Sequence, residues 1–251
     1  MADATWPQGV AVHVLPQVDS TNAHALRLAP DLSGPAWFLG LTQTAGRGRR
    51  ARAWASPPGN FHATLLTFPQ QDARLVALRS FAAALALRAA LIALTRLPDA
   101  YSLKWPNDVL LNGKKVAGIL LESSGSAGTI RHLAVGIGVN LVAAPQASGM
   151  EPGALEAVSL LHETGCRVEP RAFLNALAPA YAHWEGILIR VGFAPLRDEW
   201  LAHAVRLGEM ITARTGNATH RGQFETIDLH GNLMLRTPSE LLAIPAAEVF
   251  F

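Results

Sequence analysis

Residues 101–122 read YSLKWPNDVLLNGKKVAGILLE. The pair Asn112-Gly113 is a hairpin signal, because both residue types accept the positive φ of the tight turns that join twisted strands. An apolar strand leads into the turn, KKVAGILLES returns from it, and IRHLAVGIGVNL at 130–141 adds a third strand. A strand-rich block therefore occupies the middle of the chain. Upstream of it, residues 72–97 are rich in Ala and Leu and predict a helix. FHATLLTF at 61–68 and AWFLGLT at 36–42 predict strands, and DSTNAHALRLA at 19–29 predicts a helix start capped by Asp19, Ser20 or Thr21. Downstream, a helix is expected from Pro170 over 170–190, kinked or split at Pro179, and a further one over 195–204. From about residue 207, short alternating segments with Gly, Asn and Pro punctuation predict four or five strands. The expectation is an α+β domain followed by a small all-β domain.

Composition narrows the function. Half of the 251 residues are hydrophobic and 16% are charged, which excludes a disordered chain. The net charge of +2 is too small for a protein that coats nucleic acid. The lone cysteine, Cys166, allows neither a disulfide framework nor a cysteine zinc site within the chain, and suits a reducing cytoplasm. It is expected to be buried and structural. The nine histidines show no ligand spacing and are expected mostly at the surface or in packing roles. The N-terminus lacks the pattern of a signal peptide, and the apolar run 81–94 is interrupted by Arg88 and too short for a bilayer, so no membrane is expected.

Chemistry concentrates in three places. QTAGRGRRARAW at 43–54 packs Arg47, Arg49, Arg50 and Arg52 into six residues, with Trp54 beside them. Arginine forks bind phosphate or carboxylate oxygens in pairs, and glycines let the backbone approach a ligand. A solvated loop and an RNA grip are the competing readings, but a single run directly after a buried strand favours a small anionic ligand. KWPND at 104–108 joins a cation, an aromatic ring, a rigid turn, an amide and a carboxylate, although Asn107 and Asp108 alone are ordinary turn residues. An NGKK tip is ordinarily solvated, yet Lys115 enters a strand in which Gly118 marks a close approach. The glycines of GIGVN at 136–140 are expected to make room for a ligand or another backbone.

STN at 20–22, the arginine stretch at 43–54, KWPND, KVAGILLE at 115–122 and GIGVN, in that order, resemble the biotin protein ligases over most of the chain. The terminal RGQFETIDLHGNLMLR resembles that family's small C-terminal domain. The family pattern has glycine where this chain has Ala51, which restricts the backbone there and removes no side chain with a chemical role.

The resemblance implies a biotin/lipoate-ligase catalytic domain over 1–205, similar to class II aminoacyl-tRNA synthetases, with a mixed sheet and flanking helices. An SH3-like β-barrel over 206–251 would follow. It implies an enzyme that joins biotin to ATP as biotinyl-5′-AMP, releases pyrophosphate, and transfers biotin to one lysine of a biotin carboxyl carrier protein of acetyl-CoA carboxylase or a related carboxylase. Lys115, Arg47, Arg49 and Lys104 would be catalytic, supplying the fixed charge that brings a carboxylate against a phosphate. Ser20, Thr21, Asn22, Gln43, Arg47, Gly48, Arg49, Lys115, Gly118 and Gly138 would bind biotin. Arg49, Arg50, Arg52, Trp54, Asn107, Asp108 and Asn140 would bind ATP, with Mg²⁺ arriving on its phosphates and Asp108 a candidate indirect partner. The arginine loop would be mobile when empty and close over ligand. With 19 residues before Ser20, no N-terminal DNA-binding domain and no operator binding are expected, and the enzyme would be a cytoplasmic monomer or homodimer. A lipoate-type ligase and a non-catalytic nucleic-acid-binding protein remain the alternatives.

Overall fold

The computed structural model describes residues 5–126, 128–145 and 155–251. Strands β1 (Ala11–Leu15), β2 (Ala36–Gly40), β3 (Phe61–Thr67), β4 (Gln71–Asp72), β5 (Tyr101–Lys104), β6 (Asp108–Leu111), β7 (Lys114–Ser126) and β8 (Thr129–Val139) form one mixed sheet. Its order is β1-β2-β3-β8-β7-β6-β5, with the short β4 also pairing β8. Only β1 and β2 run parallel. Asn112 (φ 50°) and Gly113 (φ 79°) take the positive φ that the hairpin signal demanded.

The helices are α1 (Thr21–Leu28), α2 (Ala73–Ala77), α3 (Arg79–Thr95), α4 (Leu160–Thr164), α5 (Pro170–Arg190) and α6 (Ala194–Ala202). The helix expected over 72–97 is two: Asp72 caps α2, and α3 ends where Arg96 turns left-handed (φ 62°). Pro179 does not split α5. One missing N–H costs a single bond, while Phe173, Leu177 and Tyr181 stay anchored in the core.

Strand alternation divides the sheet. Phe61, Ala63 and Leu65 of β3, with their partners Val139, Ile137 and Val135 of β8, face the α3–α5 layer. His62, Thr64 and Leu66 take the other face. There α1 covers Leu66 and Phe38 and reaches the row at His62 only at its edge, where Thr21 lies over Gly40. The end of the sheet beyond that edge is the floor of the main cavity.

The C-terminal strands β9 (Met210–Arg214), β10 (Thr219–Ile227), β11 (Leu233–Arg236), β12 (Leu241–Ile244) and β13 (Glu248–Phe250) form a separate antiparallel sheet, ordered β12-β11-β10-β9-β13. It is fastened to the first. The buried Trp105 donates from Nε1 to the Gly231 carbonyl at 3.1 Å, and Gly231 is seated against Phe81 and Leu78. Residues 73–95 are apolar and long enough to cross a membrane by length and composition, but most of that stretch is buried here. Cys166 is half-buried rather than buried, at the edge of the core, with Sγ 3.9 Å from the Leu94 carbonyl.

Candidate active site

The cavity measures about 480 Å³ and lies between the open sheet face, the arginine stretch and strand β13. Its floor is a single cross-strand row. Gly40 pairs His62, His62 pairs Gly138, Gly138 pairs Gly118, Gly118 pairs Asp108, and Asp108 pairs Lys104. Directly opposed residues share a face, so six positions far apart in sequence line up across six strands.

The two glycines at its centre receive a side chain, not an open slot or another backbone as expected. The Trp54 indole lies on Gly138 and Gly118: a Cβ at Gly138 would stand 2.5 Å from its Cε2, and one at Gly118 would stand 3.2 Å from its Cζ3. Gly136 likewise holds the Asn22 amide. A flat indole needs a floor without Cβ atoms. Its Nε1 is buried without a hydrogen-bond partner among the described residues.

Lys115 reaches this face through a bulge. Val109 pairs Ala117 but Leu110 pairs Lys115, which leaves Val116 as an extra residue in β7. Plain alternation from Gly118 would send Lys115 to the helix side, and the inserted residue turns it back. Segment 156–158 pins its backbone through Lys115 N to Glu156 O (2.8 Å) and Val158 N to Lys115 O (2.9 Å). Its Nζ is 2.7 Å from Asp108 Oδ1, an ion pair by distance but without the angle of a hydrogen bond. The same Nζ is 5.7 Å from the Trp54 ring centre. Lys104, half-buried, packs its Nζ 5.1 Å from the Phe251 ring. Burial lowers its pKa, and the nearby Asp108 opposes the shift. The turn between them carries a cis Trp105–Pro106 bond. Asn107 is locked there, its amide donating to the Ile119 carbonyl at 2.7 Å.

Residues 46–54 close into a small hairpin: Trp54 N donates to Gly46 O (2.9 Å) and Gly48 N to Arg52 O (2.8 Å). The expectation was a loop that only ligand would order. In this structure protein carboxylates pair three of its four arginines. Arg47 pairs Glu122 at 3.1 Å, and Arg50 and Arg52 pair Glu248 of β13, which Arg214 also holds. Arg49 turns inward, bonding Asn107 Oδ1 (3.3 Å) and the Ala247 carbonyl (3.4 Å). Burial lowers its pKa, while Asp108 pulls it back up. It stays charged at any ordinary pH.

Arg50 (φ 55°) and Ala51 (φ 57°) are both left-handed at the hairpin tip. That conformation crowds a Cβ and costs roughly 1–2 kcal/mol per residue. Ala51→Gly is therefore expected to tighten the tip by about 1 kcal/mol at most, part of the relief being cancelled by the freer unfolded chain. Slower trypsin cleavage at the loop arginines checks it, and faster cleavage would contradict it.

Glu248 is held at about 2, chiefly by the hydrogen bond from Arg52 and then by that from Arg214, against the opposing effect of burial. Because the folded value is depressed, the stabilisation is complete above the ordinary 4.5 and is lost as pH falls toward 2. The gap in melting temperature between wild type and Glu248→Gln should be constant above about pH 5 and shrink below it. A gap that ignores acid would remove this role.

The N-terminal polar groups satisfy each other. Gln43 Oε1 accepts from Thr21 N (2.9 Å) and Thr21 Oγ1 (3.2 Å), while its Nε2 donates to Ser56 Oγ (2.9 Å). Thr64 Oγ1 donates to Asn22 Oδ1 (2.6 Å), and Asn22 Nδ2 donates to Glu122 (2.8 Å). Ser20 caps α1, its Oγ 3.5 Å from Ala23 N.

All of the expected residues line this one cavity: Ser20, Thr21, Asn22, Gln43, Arg47, Gly48, Arg49, Arg50, Arg52, Trp54, Lys104, Asn107, Asp108, Lys115, Gly118, Gly138 and Asn140. Sequence reading missed His62, Glu122 and Glu248. His62 had a signal, a ring in step with Thr64 on an otherwise apolar strand. Glu248 had none, since 196 residues separate it from Arg52.

Residues 14–140 match the biotin/lipoate A/B protein ligase family, and residues 207–251 match the biotin protein ligase C-terminal domain. A biotin--[acetyl-CoA-carboxylase] ligase of Paracoccus denitrificans is 57% identical, covering 95% of this chain and 99% of that one. The corresponding ligase of Mycobacterium tuberculosis is 28% identical over 99% of this chain and 90% of its own. Among solved structures, a biotin protein ligase from Aquifex aeolicus in complex with biotin and ATP superposes with a TM-score of 0.79. It is 26% identical, with 95% of this chain and 97% of that chain covered.

Proposed function

The chain belongs to the biotin/lipoate A/B protein ligase family, and from that premise we infer that it activates biotin with ATP and transfers it to a lysine of a carboxylase carrier protein. The observation that carries this is the cross-strand row, which puts Lys104, Asp108 and the Trp54 floor under an arginine hairpin, with Lys115 turned onto the same face.

In the first step a biotin carboxylate oxygen bonds to the α-phosphorus of ATP, and the bond to the departing pyrophosphate breaks. Two anions must meet. Lys115 is the cation best placed at the junction, with Arg47 and Arg49 above it and Lys104 at the nucleotide end. Cations fixed in place before the reaction stabilise the charge developing there without reorganising. Thr21, Gln43 and Ser20 sit at the end suited to the ureido ring, and the strands carrying Gly118 and Gly138 would flank the valeryl chain. Arg50, Arg52, Asn107 and Asn140 fall to the nucleotide. Trp54 lies flat on the sheet, so it serves as a wall of the junction and offers adenine its exposed side.

In the second step the neutral amine of the carrier lysine attacks the acyl carbon and AMP leaves with the bonding electrons. This needs no nucleophile from the enzyme, in keeping with Cys166 lying at the core edge. Mg²⁺ would accompany the ATP phosphates. It would be held mainly by phosphate and water, with Asp108 nearby. A cytoplasmic setting, where ATP and carboxylases meet, belongs to the same proposal.

Biotin-dependent exchange of labelled pyrophosphate into ATP, followed by transfer to a purified carrier domain, tests this reading. Exchange is expected with biotin and not with lipoate. Folded protein that exchanges with lipoate alone, or with neither, would reject it.

A further inference from the structure

The groups expected to meet the ureido ring are already occupied with one another, as Thr21, Gln43, Ser56, Thr64 and Asn22 show. The buried polar group beside them that has no partner is His62. It is 1% exposed, it lines the cavity, and neither ring nitrogen makes a hydrogen bond among the described residues. The Pro57 carbonyl lies on its side and nudges its pKa upward, but outside hydrogen-bond geometry.

Position strengthens the case. Between Gly40 and Gly118 in the floor row, His62 is the only residue with a side chain. Thr21 and Val18 lie over Gly40, and Trp54 lies over Gly138. The imidazole thus stands at the seam between the Thr21–Gln43 end and the indole wall. Buried polar groups are nearly always paired, so two nitrogens without a partner among the described residues, on a ring that lines the cavity, point to a ligand.

The chemistry matches one part of biotin. Burial pushes the ring down to about 4, so it is neutral at physiological pH. A neutral imidazole has one donor and one acceptor. A cyclic urea presents an acceptor carbonyl flanked by donor N–H groups. A carboxylate or phosphate, by contrast, calls for a cation. We propose that His62 is a biotin-binding residue whose ring hydrogen-bonds the ureido group and helps select biotin over analogues altered there. This rests on the biotin ligase reading above.

The test compares wild type, His62→Phe and His62→Gln for biotin affinity by calorimetry, KM for ATP, and melting temperature. Biotin methylated on a ureido nitrogen is the probe of selectivity. Loss of one neutral hydrogen bond predicts biotin binding weakened about tenfold in His62→Phe. The KM for ATP should hold steady. The melting temperature should be equal or higher, because an apolar ring of similar shape removes unpaired polar atoms. His62→Gln, with a donor and an acceptor, should recover much of the loss, and His62→Phe should discriminate less against the methylated analogue. Unchanged biotin affinity in His62→Phe, or an unchanged preference for biotin over the analogue, would make the ring a packing residue and overturn the proposal. If His62→Phe does not fold, the preference measured in His62→Gln decides in the same way. Wild-type protein that binds no biotin would sink the ligase reading and this inference together, whereas normal biotin-dependent exchange with unaltered His62 variants would sink only the inference.

Discussion

Lys115→Gln is expected to lower biotin-dependent pyrophosphate exchange by about 10²–10³-fold, the cost of removing one preorganised charge from a reacting anion. The position explains why the effect should fall on the reaction rather than the fold. Lys115 is partly exposed to the cavity, its backbone is held by Glu156 and Val158 whatever the side chain, and glutamine fills similar space. Removing the ammonium also leaves Asp108 without its 2.7 Å partner, so a new unpaired carboxylate would face the incoming anions. Lys115→Gln/Asp108→Asn removes both charges. If repulsion from Asp108 contributes, the double variant should exchange faster than the single one. If the loss is all missing cation, the two should be alike. An exchange rate within a few-fold of wild type in Lys115→Gln would mean that the junction lies elsewhere, with Lys104 the next candidate.

Gly138→Ala should be nearly as damaging through a different mechanism. The added methyl would stand 2.5 Å from one indole carbon of Trp54 and 2.6 Å from another, and the backbone beneath is the middle of the sheet. Something must move, and the strand is held on both sides, so the indole should lift. Overpacking of this kind costs about 1–3 kcal/mol. Lifting Trp54 also shifts the end of the arginine hairpin, because Trp54 N closes it onto Gly46. Exchange should therefore drop well beyond what the fall in melting temperature accounts for. Adding Trp54→Leu should restore stability by freeing the space, yet leave activity low because the wall is gone. Normal melting and normal exchange in Gly138→Ala would show that the tight seat is not needed.

The sequence, through local chemistry, settled more than its elements. Asn112-Gly113 determined a hairpin because few residue pairs accept two positive φ values. The alternation and apolar runs determined the strands, and Ser20 determined where α1 begins. The ordered set of short motifs pointed to the family and to the residues around the cavity, since each motif is a contiguous stretch whose members act together. What the sequence did not determine was which face each side chain would take. Lys115 depends on one extra residue, Val116, and a bulge is a matter of how two strands pair rather than of either strand alone. The row from Gly40 to Lys104 exists only once six strands have come into register. His62 became a site residue because its neighbours in that row are glycines, and Glu248 because a second sheet docks its last strand over the arginine hairpin. Contacts across so many residues carry no local signature. They are fixed by sheet register and domain docking, which the tertiary structure alone decides.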